Sequence, residues 1–333
     1  MTKTQPKELN KSMKTKKFYG IKFNVYTGKK IEGDFIKPDE AVYFKNDVEI
    51  TGRLEVKYLK CEKSIYVYKS YKVYEWEEIG GSQKIGWSQE IGGPQKIGGS
   101  QEIGGSQKID GSQEIGGPQK IDGFQEIGGP QKIGGSQKID GFQKIGGSQK
   151  IDGFQKIGGS QKIDGFQEIG GSQKIGWSQE IGGPQKIGGS QKIDWFQKIG
   201  GFQEIGGSQK IDGFQEIGGS QKIGWSQEIG GFQKIGGDLK AKSSRVALYS
   251  KVKGKYEVEG KVFIGVCEWR KTTEEEETLT CGKFISGDIK YGKLKEIGLP
   301  KENEEINEGE MIEIDGVKIS KQTIKEHFKN LWK

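Results

Sequence analysis

A chain of 333 residues could hold two ordinary domains, but 56 of these residues are Gly, only 31% are apolar, and the formal net charge is +7. No run approaches the ~20 apolar residues of a membrane-crossing helix. The three Cys (Cys61, Cys267, Cys281) lack any CxxC spacing and read as reduced, structural residues of a non-secretory protein, although the pair Cys267 and Cys281 could form a bridge.

Residues 1–17 carry six Lys and one Glu and read as a basic, solvated, disordered tail. Contact with nucleic acid or an anionic surface is expected only weakly, through this tail. It has no apolar core of the secretory-signal type, so a cytoplasmic or virion-associated location is expected. Residues 18–78 alternate apolar and polar residues, as in IYVYKSYKVY, and predict a β-rich N-terminal cap with the first, non-ideal coils.

From Ile79 to Lys234 run 156 residues, or 26 uninterrupted hexads of Ile, Gly/Asp, Gly/Trp, Ser/Pro/Phe, Gln, Lys/Glu. Position one is always Ile, a β-branched core residue. Position two is Gly or Asp, which predicts a turn with positive φ. Position three accepts Trp at 87, 177, 195 and 225, so it should point outward. Position four accepts Pro at 94, 118, 130 and 184, so its N–H is not needed in a ladder and a corner is expected. Positions five, six and one then make a three-residue strand with Gln in, Lys/Glu out and Ile in. Counting back by sixes from Ile79 and from Gln83 reaches Val73, Val67 and Cys61, and Glu77, Tyr71, Ile65 and Leu59. That phase agreement favours an all-β parallel solenoid over a disordered Gly-rich linker.

The outward position selects the coil size. With 18-residue coils, sixteen of 23 stacked pairs at position six are Lys–Glu and none is Glu–Glu; with 12-residue coils only four of 24 are opposite and six are Glu–Glu. Opposite charges on neighbouring strands are favoured, so three hexads per coil are predicted. On that model Trp87, Trp177, Trp195, Phe124, Phe142, Phe196, Phe214 and Phe232 share one edge, while Phe154, Phe166, Phe202 and Trp225 lie on the other two. The eight form a candidate binding edge, or else Phe at position four fills its corner against the next coil.

Residues 235–299 loosen into β-rich C-terminal coils and a cap, with a solvated acidic run at Glu274–Glu277. Residues 300–310 read as a linker. Residues 311–333 read as a β-hairpin turning at Asp315-Gly316, followed by a helix with Ser320 as N-cap and Ile324, Phe328 and Leu331 on one face.

The Ile-Gly/Asp hexad resembles the hexapeptide repeat of left-handed β-helix proteins, in which an aliphatic residue is followed by Gly, Ala, Glu or Asp, with a small residue four places on. Gln departs from that small residue, and a ladder of stacked amides is its expected substitute. The Gly-spaced strands after 245 weakly resemble those of bactofilins, which are polymer-forming solenoids, and the hairpin–helix tail is similar in style to small phage-encoded proteins.

Hexapeptide acyltransferases use a His base, and the related carbonic anhydrases need three His for zinc. This chain has one His, His327, in the expected terminal helix. There is no Ser/His/Asp set, P-loop or GxGxxG, and the Asp residues of the repeat are sparse single carboxylates. No catalytic, cofactor or metal residues are expected. The expectation is a non-enzymatic structural rod or spacer that associates with itself end to end or through its edge. The alternative is a binding rod, fibre- or adhesin-like, whose aromatic edge recognises a glycan or a protein.

Overall fold

The computed structural model describes residues 14–252, 256–269, 278–289, 293–296, 311–314 and 317–320. It divides into two compact units, 1–297 and 298–333. Unit one is a parallel β-solenoid. From Gln83–Ile85 to Gln221–Ile223 every strand is Gln, Lys/Glu, Ile, with both ends buried and the middle residue facing out. Each strand pairs in parallel with the strand eighteen residues on, as in Gln83↔Gln101, Lys84↔Glu102 and Ile85↔Ile103. Three strands therefore complete one coil, as the charge pattern predicts.

The corners explain the narrow residue choice. The N–H of Gln83 reaches up to the Ser100 carbonyl at 2.9 Å, Gly98 reaches down to Ile79 at 2.8 Å, and Gly99 reaches down to Gly81 at 2.9 Å. The N–H of position four has no backbone partner in this scheme. In several coils it meets a Ser hydroxyl of the coil below, as Ser100 does on Ser82 Oγ at 3.2 Å, and in others it is dispensed with, as in Pro118, whose carbonyl still accepts from Gln101 at 3.0 Å. That is why Ser and Pro alternate there.

The expected positive φ at position two is corrected. Among the described residues only Tyr19, Gly20 and Gly33 have positive φ, and none lies in the repeat. Gly is favoured there because of close approach: a Cβ at Gly98 would press into the Gly80 carbonyl of the coil below. Asp fits only with a small lift. The position-two N–H···O distance is 2.8 Å at Gly98 and Gly146, 3.0 Å at Asp140 and 3.2 Å at Asp194.

The flanks continue the stack. Leu59, Cys61, Ile65, Val67, Tyr71, Val73 and Glu77 are all buried, on the two registers counted back from the repeat. At the start, Thr15–Phe18 pairs antiparallel with Ile21–Tyr26 through a two-residue turn at Tyr19 and Gly20, φ 50° and 81°. These are type I′ values, suited to a hairpin. A first strand thus begins within the segment expected to be the tail, while residues 1–13 lie outside the described ones. The hairpin and its neighbours gather Phe23, Ala41 and Tyr43 into a second small core with Phe18 and Trp76. After Ile235 the coil shortens by one residue, to Gln227↔Ser244, Gln233↔Ser250 and Leu239↔Tyr256. Tyr256–Trp269, Thr278–Ile289 and Lys293–Glu296 extend the parallel stack. In unit two, Met311–Ile314 and Val317–Ser320 form the expected hairpin. The expected terminal helix, with His327, and the acidic run 274–277 lie outside the described residues.

Candidate functional site: the amide axis and the aromatic edge

Three inward columns of Gln meet along the solenoid axis. All 26 Gln of the repeat are buried to 2% exposure or less. Each carboxamide reaches beyond the simple ladder expected from the repeat. Gln101 Nε2 donates to Oε1 of Gln83 at 2.7 Å, Gln89 at 3.0 Å and Gln95 at 3.2 Å, which are the three preceding Gln around the axis. The same sense holds throughout the repeat, with N–H toward the chain start and C=O toward its end. Gln Oε1 has two lone pairs and Nε2 two protons, so this shared column satisfies groups that would otherwise be costly to bury.

A one-way column must be terminated at both ends. At the donor end stands Glu77, buried at 2% exposure. Its carboxyl oxygens accept from Gln83 Nε2 at 2.6 Å and lie 3.5 and 3.4 Å from Gln89 and Gln95 Nε2. Burial pushes the Glu77 carboxyl up to about 8, against the opposing pull of Tyr71, Gln95 and Gln83. The buried Tyr71 hydroxyl lies close enough to bear on that equilibrium but meets no partner at good hydrogen-bonding geometry. Burial likewise pushes the free Cys61 thiol up to about 12, so it is an inert core group. At the acceptor end hydroxyls take over. Ser244 Oγ donates to Gln227 Oε1 at 3.3 Å, Ser250 Oγ donates to Gln233 Oε1 at 3.0 Å, and Ser244 Oγ lies 2.9 Å from Tyr256 OH. Glu77 falls on the inward register counted back from the repeat, but its role as the column's terminus shows only in the structure. The available signal was an acid in the Gln column one step before the first Gln.

The aromatic edge lies on the opposite, outer side of the corners. Trp87, Trp177, Trp195, Phe124, Phe142, Phe214 and Phe232 are exposed there, and Phe196 is half-buried. Two coil-to-coil pairs stack, Phe124 on Phe142 at 5.3 Å and 4° and Trp177 on Trp195 at 6.1 Å and 12°, and Phe214 tilts against Phe232 at 5.2 Å and 32°. The Phe rings also lean over the position-three Gly of the next coil; a Cβ at Gly141 would meet Phe124 and one at Gly159 would meet Phe142. These rings thus touch the neighbouring coil while about half or more of each side chain stays exposed. A shallow groove of about 270 Å³ follows the edge past Phe196, Phe214 and Phe232, over Glu216 and Lys234. Phe154, Phe166, Phe202 and Trp225 stand on the other two edges, exposed, and Lys242 Nζ sits 4.3 Å over Trp225.

Among the described residues no three His, Cys, Asp or Glu side chains converge as a metal site would require, and no helix is long and apolar enough to cross a membrane. No protein-family model, curated protein or solved structure matches the chain.

Proposed function

We propose that this chain is a non-enzymatic structural rod or spacer, self-associating end to end or along its edge. The observation that carries the reading is the unbroken register. Over 26 hexads every coil offers the same backbone ladder and the same amide axis to the next, so whole coils add length without new contacts. We further propose that the solenoid is of the left-handed hexapeptide type, with Gln in place of the small residue. Its support is the Ile-Gly/Asp hexad at three per coil. Sedimentation velocity across a concentration series tests the main proposal. Growth into longer species with concentration is the expected result, and a steady monomer or trimer counts against it.

A second reading, a binding rod that recognises a glycan or a protein, draws on the groove beside Phe196, Phe214 and Phe232. Under it, changing Trp87, Trp177 and Trp195 to Ser lowers capture on a glycan array while the fold stays intact; unchanged capture removes it.

A further inference from the structure

The outward charges are not spread evenly over the three faces. On two faces Lys and Glu mostly alternate, and seven Lys–Glu pairs there close to between 2.8 and 4.0 Å. On the third, Lys120, Lys138, Lys156, Lys174, Lys192 and Lys210 stack directly on one another in five successive parallel registers. The column closes at its two ends with Glu102 on Lys120 at 3.6 Å and Glu228 on Lys210 at 3.5 Å. Four of its members also have an Asp two residues on, at 3.3 to 3.9 Å. Lys156 and Lys174, in the middle, are followed by Gly158 and Gly176 and make no ion pair among the described residues. The six hexads from 127 to 162 hold six Lys and two Asp with no Glu, a local net charge of +4.

Like charges directly opposite on a sheet destabilise it. At ~4.8 Å per coil, this column holds a regular row of six ammonium groups, and its middle members Lys156 and Lys174 have no carboxylate partner among the described residues. Such a row suits a polymer that repeats its negative charge at a similar spacing. We infer that the lysine column is a binding strip for an extended acidic polysaccharide, whose carboxylates or sulfates recur along a chain of sugar rings. Two features favour a glycan over single-stranded nucleic acid. Nucleic-acid grooves supply open aromatic platforms for bases, whereas the rings beside this column stack on each other. The carboxylates of Asp122, Asp140, Asp194 and Asp212 lie between column and rings, where they can accept from the several hydroxyls of each sugar ring, groups that a nucleic-acid backbone offers sparsely or not at all. This inference goes beyond the rod reading and does not rest on it, since a rod that never polymerises can still carry the strip.

The test uses the full chain on immobilised sodium polygalacturonate, with dextran as the neutral control and poly-deoxythymidine as the competing polyanion. The double variant Lys156→Gln with Lys174→Gln is compared with Lys186→Gln with Lys222→Gln, which removes equal charge from another face. Retention on polygalacturonate that falls with salt is expected, weakened about tenfold in the first variant and less than about twofold in the second. The first variant should melt no lower than the parent, because it removes like-charge contacts, so weakened binding cannot be laid to unfolding. Absence of retention, equal loss in both variants, or tighter retention on poly-deoxythymidine would each overturn the inference.

Discussion

The coils before Ile79 and those after it share one register but have different interiors. Before it, the Gln column is occupied by Leu59, Ile65 and Tyr71; after it, by an unbroken run of buried amides. An apolar interior has no direction and can end wherever another layer covers it. An amide interior is directional, and its last donors and acceptors need specific partners. The junction between the two regions is therefore chemically special, and Glu77 is the residue that makes it.

The comparison predicts where damage is greatest. Glu77→Leu should cost the most, about 2–3 kcal/mol, because Gln83 Nε2 loses the carboxyl oxygen that terminates the column. Hydrogen exchange should accelerate first in Gln83–Ile85 and the strands beside it; uniform loosening along the repeat would contradict the local picture.

The next effect is a pH dependence that only the junction can supply. The folded Glu77 carboxyl stands near 8, above its ordinary 4.5. Between those values the folded state keeps a proton that the unfolded chain releases. This contribution to stability is full below about pH 4.5 and is lost as pH rises to about 8, at no more than about 1.4 kcal/mol per pH unit. Glu77→Gln keeps an acceptor for Gln83 and should flatten that part of the pH–melting curve. A slope that survives in this variant would assign it to other groups.

A smaller cost is expected in mid-column. Gln155 and Gln161 both donate to Gln143, but each also donates to other Gln. Gln143→Leu strands neither, so a loss of about 1 kcal/mol is expected in chemical denaturation. A cost matching that of Glu77→Leu would erase the distinction between end and middle. The smallest effect should come from Trp87→Ser, within about 0.5 kcal/mol, since the ring is 66% exposed.

Much of this fold was legible because each hexad position draws on so few residue types. Ile and Gln inward, Lys/Glu outward and Pro at the corner each follow from one residue's chemistry, and the Lys/Glu order reports which strands touch. Other features were hidden for identifiable reasons. The Gly/Asp alphabet at position two is the same for a left-handed turn and for a close approach to a carbonyl, so composition could not separate them. The direction of the amide axis belongs to no single Gln, which left Glu77 looking like an exception to an apolar register. The lysine column emerges only when position six is followed along one face, because the repeat as a whole is almost neutral.

The amide axis also gives the solenoid an electrical sense. Carboxamides pointing one way add their dipoles as peptide units do in a helix, with partial positive charge at the Glu77 end and partial negative charge near Ser244 and Ser250. Two such solenoids lying side by side attract when they run in opposite directions, and two meeting at their ends attract head to tail. Any assembly built from this chain inherits that preference from its interior, without a single charged residue at the contact.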